Sequence, residues 1–479
     1  MSHVQPQKAV YIAANTVPFL IACACGLFVW LLPVPTGIEP RAWHLLAVFT
    51  GLIVGLVGKA LPMGGMSFFA LTVLIATDTL KMQEAFSGFS HPIIWLVVSA
   101  FLISKSFIKT GLGMRIAYHF VSLLGKKTLG LCYGITATEL FLAPAIPSAT
   151  ARAGGVIFPI VKALAISFGS TPERHSQRLI GSFLILTAYY INLVTSAMFV
   201  TAMAANPLII TIFQGIGVKL TWGSWALAAL LPGILSIICV PYIVYKLYPP
   251  EIKDTPEAKK IAHDELSKLG AISRYEWITA IVFILLVILW IIGEPYLGIE
   301  STTVALIGVC ILMITGVLTW DDIKKEHEAW DTLIWFSTLI MMATYLNTLG
   351  LTKWMSLHIQ SFLEGTSSLV AFPLLVLIYF YTHYFFASNT AHITSMLPAF
   401  LAVGIALGTP PYLLALSLGF CSSLFACLTH YGTGCAPILF GSEYVNLKSW
   451  WKMGAIISVF FLITWVGIGS LWWKALGLW

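Results

Sequence analysis

The sequence predicts an all-α polytopic membrane protein of about 11 transmembrane helices, arranged as two inverted repeats that each carry a re-entrant hairpin. Three observations predict it. The 479 residues are 58% hydrophobic and only 10% charged, with a mean hydropathy of +0.90. Landmarks recur half a chain apart, and two long apolar stretches are each split by a short run of small polar residues. A soluble chain of this size has too few polar residues here to cover such a core. The 17 Trp, 17 Tyr and 29 Phe suit interfacial belts as well as packing.

Taken in order, the polar start MSHVQPQKAV leads into an apolar run that ends in LLPVP without a small-residue cleavage site, so the first segment is expected to stay in the membrane. With a spanning length of about 20 residues, the candidate segments are 12–33, 43–62, 64–80, 91–110, 128–168, 179–212, 222–248, 276–293, 301–319, 331–349, 366–408, 411–441 and 450–474. Segments 128–168 and 366–408 each read as two half-span arms around a polar break, the pattern of a hairpin that enters and leaves by one face. The polar stretch 248–277 reads as an extramembrane linker with a short amphipathic helix.

The halves on either side of that linker resemble each other. Trp95 and Trp335 are 240 residues apart, as are Ser148 and Ser388, and Gly111 and Gly350 differ by 239. The expected organisation is an N-terminal helix in 1–40, a first repeat in 41–248, a linker in 249–275 and a second repeat in 276–479. If the start is cytoplasmic and the hairpins cross nothing, 11 spans result. Seventeen Lys and Arg, including Lys8, Lys59 and Arg115, then face inward, and Arg41, Lys81, Lys219, Lys353 and Lys474 face outward. That asymmetry follows the positive-inside rule. Five spans per half make the repeats inverted, with one hairpin opening to each side.

Net charge is +6 without the clustering of a nucleic-acid surface, and no nucleic-acid partner is expected. The eight cysteines lie in apolar runs with no zinc spacing; Cys23 and Cys25 read as small core residues, and no cofactor or metal is expected. No nucleophile and base pair, metal motif or phosphate loop points to an enzyme.

The repeat sets PSATARAGG, 147–155, over ASNTAHITS, 387–395. Ser148 meets Ser388, Ala149 meets Asn389, Thr150 meets Thr390 and Arg152 meets His392. Both runs sit where a hairpin turns, so their side chains and exposed helix N-termini suit an anion. An arginine at the bilayer centre costs about 2.5–3.5 kcal/mol on insertion scales and must face protein, water or ligand. Glu139 on the preceding arm is a possible partner; a ligand is the other. Each hairpin is followed by a second polar break, 195–208 and 427–441, where Thr201, Asn206, Thr433 and Gly434 are the candidates to line the same cavity. Lys105 and Lys109 read as snorkelling residues at a helix end.

These residues, the SNT triplet 388–390, its partner SAT 148–150, the hairpins and the inverted halves, resemble the divalent anion:sodium symporter family over nearly the whole chain. PSATARAGG and SNTAH are most similar to its exchanger branch, with the plastid 2-oxoglutarate/malate translocators and bacterial dicarboxylate exchangers. The resemblance implies a homodimer in lipid, a scaffold, and an elevator-type transport domain that carries a small dicarboxylate between the hairpin tips. It implies substrate contacts from Ser148, Ala149, Thr150, Arg152, Ser388, Asn389, Thr390 and His392, with the four break residues. Sodium-coupled members read SNT at both triplets; here Ala149 replaces the first Asn. The expectation is sodium-independent exchange of 2-oxoglutarate, malate, succinate or fumarate across a bacterial inner (plasma) membrane, with Arg152 and His392 in place of sodium charge. The alternatives are a sodium-coupled di- or tricarboxylate symporter, a citrate/dicarboxylate antiporter and an anion channel. A fixed, unpaired Arg152 charge is expected to slow the return of an empty carrier, and Arg152→Ala to reach the membrane without transporting.

Overall fold

A computed structural model describes residues 14–351, 354 and 368–479; Lys8 and Lys353, both used in the charge count, lie outside them. Among the described residues, nine helices are long and apolar enough to cross a membrane. Two of these, Ala149–Ser167 and Asn389–Ala406, are hairpin arms. The other seven, with the shorter Thr16–Leu31, Met63–Ala76 and Ser301–Ile314 and the 22-residue His327–Thr348, make the 11 spans.

The inverted repeat is visible element by element. Pro40–Val57 corresponds to Arg274–Ile292, Met63–Ala76 to Ser301–Ile314, and Pro92–Thr110 to His327–Thr348. The first hairpin, Thr128–Leu142 and Ala149–Ser167, corresponds to the second, Ser368–Tyr381 and Asn389–Ala406. Even the interruptions recur. The first broken helix runs as Gly181–Met198, Val200–Ala202 and Ala205–Gln214, and the second as Pro411–Leu424, Phe425–Leu428 and Cys435–Phe440.

Local sequence explains these shapes. In the first hairpin the return arm widens into a π turn over Ala153–Ile157. Pro159 follows it and has no N–H to give, so the wider turn relieves its ring from the preceding carbonyls. In the first broken helix Phe199 and Met203 are extended, which frees carbonyls of the last turn. Asn206 Nδ2 recovers two of them, donating to Ser196 O at 2.7 Å and Phe199 O at 2.9 Å. All 18 residues of Gly181–Met198 are buried, so this helix forms the core. Arg274–Ile292 instead leaves Ile281, Ile284 and Ile288 exposed, a face suited to lipid.

Contacts sort the helices into two bodies. Helices 16–31, 40–57, 63–76, 92–110, 301–314 and 327–348 pack mainly on one another; the first hairpin packs on helix 112–124, on Gly181–Met198 and on Trp222–Leu247, and the second on the two broken helices. Loop contacts sort the ends into two faces, as the span count requires. On one, Arg41 pairs with Glu84 at 2.6 Å and Thr302 Oγ1 donates to Pro92 O at 3.0 Å. On the other, Lys109 pairs with Asp322 at 2.6 Å, Lys105 with Glu326 at 3.1 Å, and Arg178 Nη2 donates to Pro249 O at 2.9 Å. The two lysines therefore end in specific ion pairs.

The linker contains the expected short helix, Glu257–Leu269. The sequence reading passed over its partner, Leu112–Leu124, which has too short an apolar face to register as a span. Arg115 on that helix is buried, bonded to Glu276 and donating to Gly270 O at 3.0 Å, and so fixes the linker to the first half. Of the cysteines, Cys132, Cys421, Cys427 and Cys435 are buried, while Cys23 and Cys25 are half-buried.

Candidate functional site

The site lies where two hairpin tips meet two helix breaks. Each return arm begins with a serine N-cap: Ser148 Oγ accepts from Ala151 N at 3.0 Å, and Ser388 Oγ from Ala391 N at 3.4 Å. Each tip touches both broken helices. Thr150 at the first tip packs so closely on Gly434 that a Cβ there would stand 2.5 Å from its hydroxyl. At the second tip Asn389 Nδ2 donates to Ser422 O at 3.2 Å and lies 3.6 Å from Met203 Sδ. Ser423 Oγ donates to Leu193 O at 2.9 Å, joining the broken helices directly.

The twelve sequence candidates divide evenly. Ser148, Ala149, Thr150, Ser388 and Thr390 are half-buried and Gly434 is exposed, so these border open space. Arg152, His392, Thr201, Asn206, Asn389 and Thr433 are buried. Thr201 Oγ1 donates to Pro144 O at 2.8 Å and accepts from Trp222 Nε1 at 3.1 Å, which leaves it structural. Asn206 staples the first break, as described above. These two do not line the cavity, because a broken helix needs polar side chains for its own freed carbonyls. Asn389 resembles Asn206 in holding a break carbonyl, that of Ser422, with its Nδ2, and in both residues Oδ1 is buried without a partner.

Arg152 is not a free cation. Nε donates to Glu139 Oε1 at 3.0 Å, Nη1 to Ile146 O and Ala202 O at 2.7 Å each, and Nη2 to Ser196 Oγ at 2.7 Å. Four of its five N–H donors are thus committed to protein, and its exposure is 0%. In this arrangement no bidentate fork is left free for a carboxylate, so Arg152 is bonded to protein where the sequence suggested a substrate contact. The charge is also compensated: Glu139 faces it, held by Asn192 Nδ2. The expected penalty for an unpaired Arg152 charge therefore does not arise.

His392 is likewise inside. It stacks on Phe386 at 4.5 Å and Phe425 at 4.5 Å, and its Nδ1 lies 3.0 Å from Nδ1 of His383. His383 Nε2 donates to Gly432 O at 2.9 Å, since a carbonyl only accepts. With that proton on Nε2, Nδ1 of a neutral His383 accepts, and His392 Nδ1 donates to it. Gly432 stands 230 residues after Ala202, as Ser422 stands after Asn192. His383 therefore does at the second tip what Arg152 does at the first, reaching the carbonyl of the break, with His392 behind it.

Sequence reasoning missed His383, Asn192 and Ser196. The 240-residue offset sets Ala143 under His383, so the repeat gave no flag. Asn192 and Ser196 are four apart in a fully buried helix, hence on one face, and that spacing was the available signal.

Comparison with known proteins agrees over the whole chain. The family model described as "Sodium:sulfate symporter transmembrane region" matches residues 13–479. The chain is 53% identical over 468 residues to the "Putative malate transporter YflS" of Bacillus subtilis, covering 98% of each. It is 47% identical to "Dicarboxylate transporter 1, chloroplastic" of Spinacia oleracea, covering 100% of this chain and 84% of that one. Among solved structures, the Alcanivorax borkumensis YdaH transporter covers 91% of this chain and 99% of its own with a TM-score of 0.54; at 14% identity the likeness is one of fold alone.

Proposed function

The chain belongs to the family described as the sodium:sulfate symporter transmembrane region, a family of membrane transporters and not of enzymes, and from that membership and the site we infer that it exchanges C4 and C5 dicarboxylates without sodium. The substrate class rests on the names of the relatives, a malate transporter and a chloroplast dicarboxylate transporter. 2-Oxoglutarate, malate, succinate and fumarate are the candidates. In this reading the protein is a homodimer whose N-terminus is cytoplasmic, and the hairpins with the broken helices move as one body against the other helices.

A single observation carries sodium independence. The Arg152 guanidinium is ringed by two backbone carbonyls, a hydroxyl and a carboxylate, oxygen ligands of the kind a hard cation takes. At the other tip an imidazole N–H takes the Gly432 carbonyl. Side chains fixed to the protein hold both breaks, so no dissociable ion is needed to shape the tips. A carboxylate at each end of the substrate suits two N-caps, Ser148 and Ser388, with Thr150, Thr390 and Gly434 around them.

Exchange follows from what leaves with the substrate. Two helix N-termini, together equivalent to about one positive charge, lose their counter-charge when the dianion departs. Carrying them empty across the barrier costs about 2–3 kcal/mol, roughly a hundredfold in rate. Uptake into proteoliposomes with and without internal malate, in sodium or potassium buffer, tests the reading. We expect uptake only into malate-loaded vesicles and no dependence on sodium. Sodium-dependent uptake into empty vesicles sinks it in favour of symport, and conductance without counterflow in favour of a channel.

A further inference from the structure

The second tip borders a cavity of about 570 Å³ that the site described above does not exhaust. Ser388 and Ala391 form one wall. Asn15, Lys59, Ala60 and Met63 form the other, from the junction between helices 16–31, 40–57 and 63–76. Those helices belong to the opposite body.

Lys59 has an uncommon backbone, shared among the described non-glycine residues with Asp78, His175 and Glu443. Its backbone is left-handed, φ 53°, at the position after a helix end where glycine normally sits. Glycine is present in the chain, one residue early: Gly58 has φ −74°. A lysine is thus held where a glycine would be easier, and strain of this kind gathers at working sites. Like most lysines among the described residues, Lys59 makes no ion pair, so its charge is not spent on the protein. On the same body Glu328 stands near the Ser148 hydroxyl, so the cation and the acid of this body lie beside different tips.

We propose that Lys59 is a carboxylate capture site, the first cation a dicarboxylate meets on its way to Ser388. The inference rests on the dicarboxylate reading above. Because Lys59 sits on one body and Ser388 on the other, the two face each other only when the tips stand at this end of the travel. Lys59 acts on binding from one side of the membrane alone, the side that carries the linker helix Glu257–Leu269.

The test uses the full-length protein in vesicles of both orientations, with labelled malate as probe. Lys59→Gly removes the charge and suits the left-handed backbone, so folding is preserved or improved. We expect its KM for malate to rise about five- to tenfold on the linker side and to stay within about twofold on the other, at unchanged maximal rate. Lys59→Arg should restore the linker-side KM. An unchanged KM on both sides, or an equal rise on both, overturns the inference while leaving exchange standing. Absence of malate exchange by the parent protein overturns both readings together.

Discussion

The two hairpin tips share a backbone plan and differ in chemistry. Both start a return arm with a serine cap, both touch both breaks, and both fix a break carbonyl with a side-chain N–H. The first does so with a buried ion pair, Arg152 and Glu139, whose acid is positioned by Asn192. The second does so with two stacked imidazoles against Phe425. Tyr379 stands 240 residues after Glu139, and its hydroxyl pairs with Ser422 Oγ at 2.7 Å, so the counterpart of acid and carboxamide is a phenol and a hydroxyl. The inverted repeat conserves what must be held, not the means of holding it.

That difference predicts unequal fragility. Removing one partner of a buried pair leaves the other charge stranded, at a cost of about 3–5 kcal/mol. Arg152→Ala also orphans the carbonyls of Ile146 and Ala202. We expect the largest loss of any single change at either tip, read as a fall in unfolding temperature in detergent together with loss of exchange. Replacing Arg152 and Glu139 together by Gln should cost less than the sum of the single changes, because neither charge is stranded. A stable, transport-inactive Arg152→Ala would break the comparison and return Arg152 to the substrate.

At the second tip no stranded charge is at issue. His383→Ala removes one hydrogen bond to a buried carbonyl and one stacked ring, an expected loss of about 1–3 kcal/mol. His392→Ala should cost less, since it supports His383 and reaches no break carbonyl. Thermal unfolding of the two variants side by side checks the order. The reverse order would restore the sequence pairing of Arg152 with His392 as the functional one.

Much of this was legible beforehand, and the reasons differ by feature. The spans, the hairpins and the repeat follow from hydropathy and spacing, signals set by the bilayer itself. The tips were legible because Ser148 and Ser388 sit at a fixed offset. What stayed hidden is which polar residue faces the cavity and which faces the protein. Asn206 and Asn389 look alike in sequence, yet one staples its own helix break from within and the other reaches a break from a hairpin tip. Arg152 was half legible: its ion pair with Glu139 was one of the two readings the sequence offered, while its other partners Ala202 O and Ile146 O are backbone atoms, which carry no sequence signature. Helix Leu112–Leu124 escaped because a helix lying against protein needs no spanning length.

The smallest expected effect is the sharpest on ion coupling. Ala149→Asn makes the first triplet SNT, as at 388–390, and so matches the tips in sequence. Ala149 is half-buried at the start of the return arm, and its carbonyl already accepts from Asn192 at 3.2 Å, so the longer side chain has open space to enter. Stability should change by less than about 1 kcal/mol. The carboxamide alone does not make a cation site, because Ile146 O and Ala202 O remain bonded to Arg152. Exchange by Ala149→Asn should therefore stay close to the parent rate, with equal uptake in sodium and potassium. If sodium instead stimulates uptake into empty vesicles, then residue 149 and not Arg152 decides the coupling ion, and the two tips differ by one carboxamide rather than by how their breaks are held.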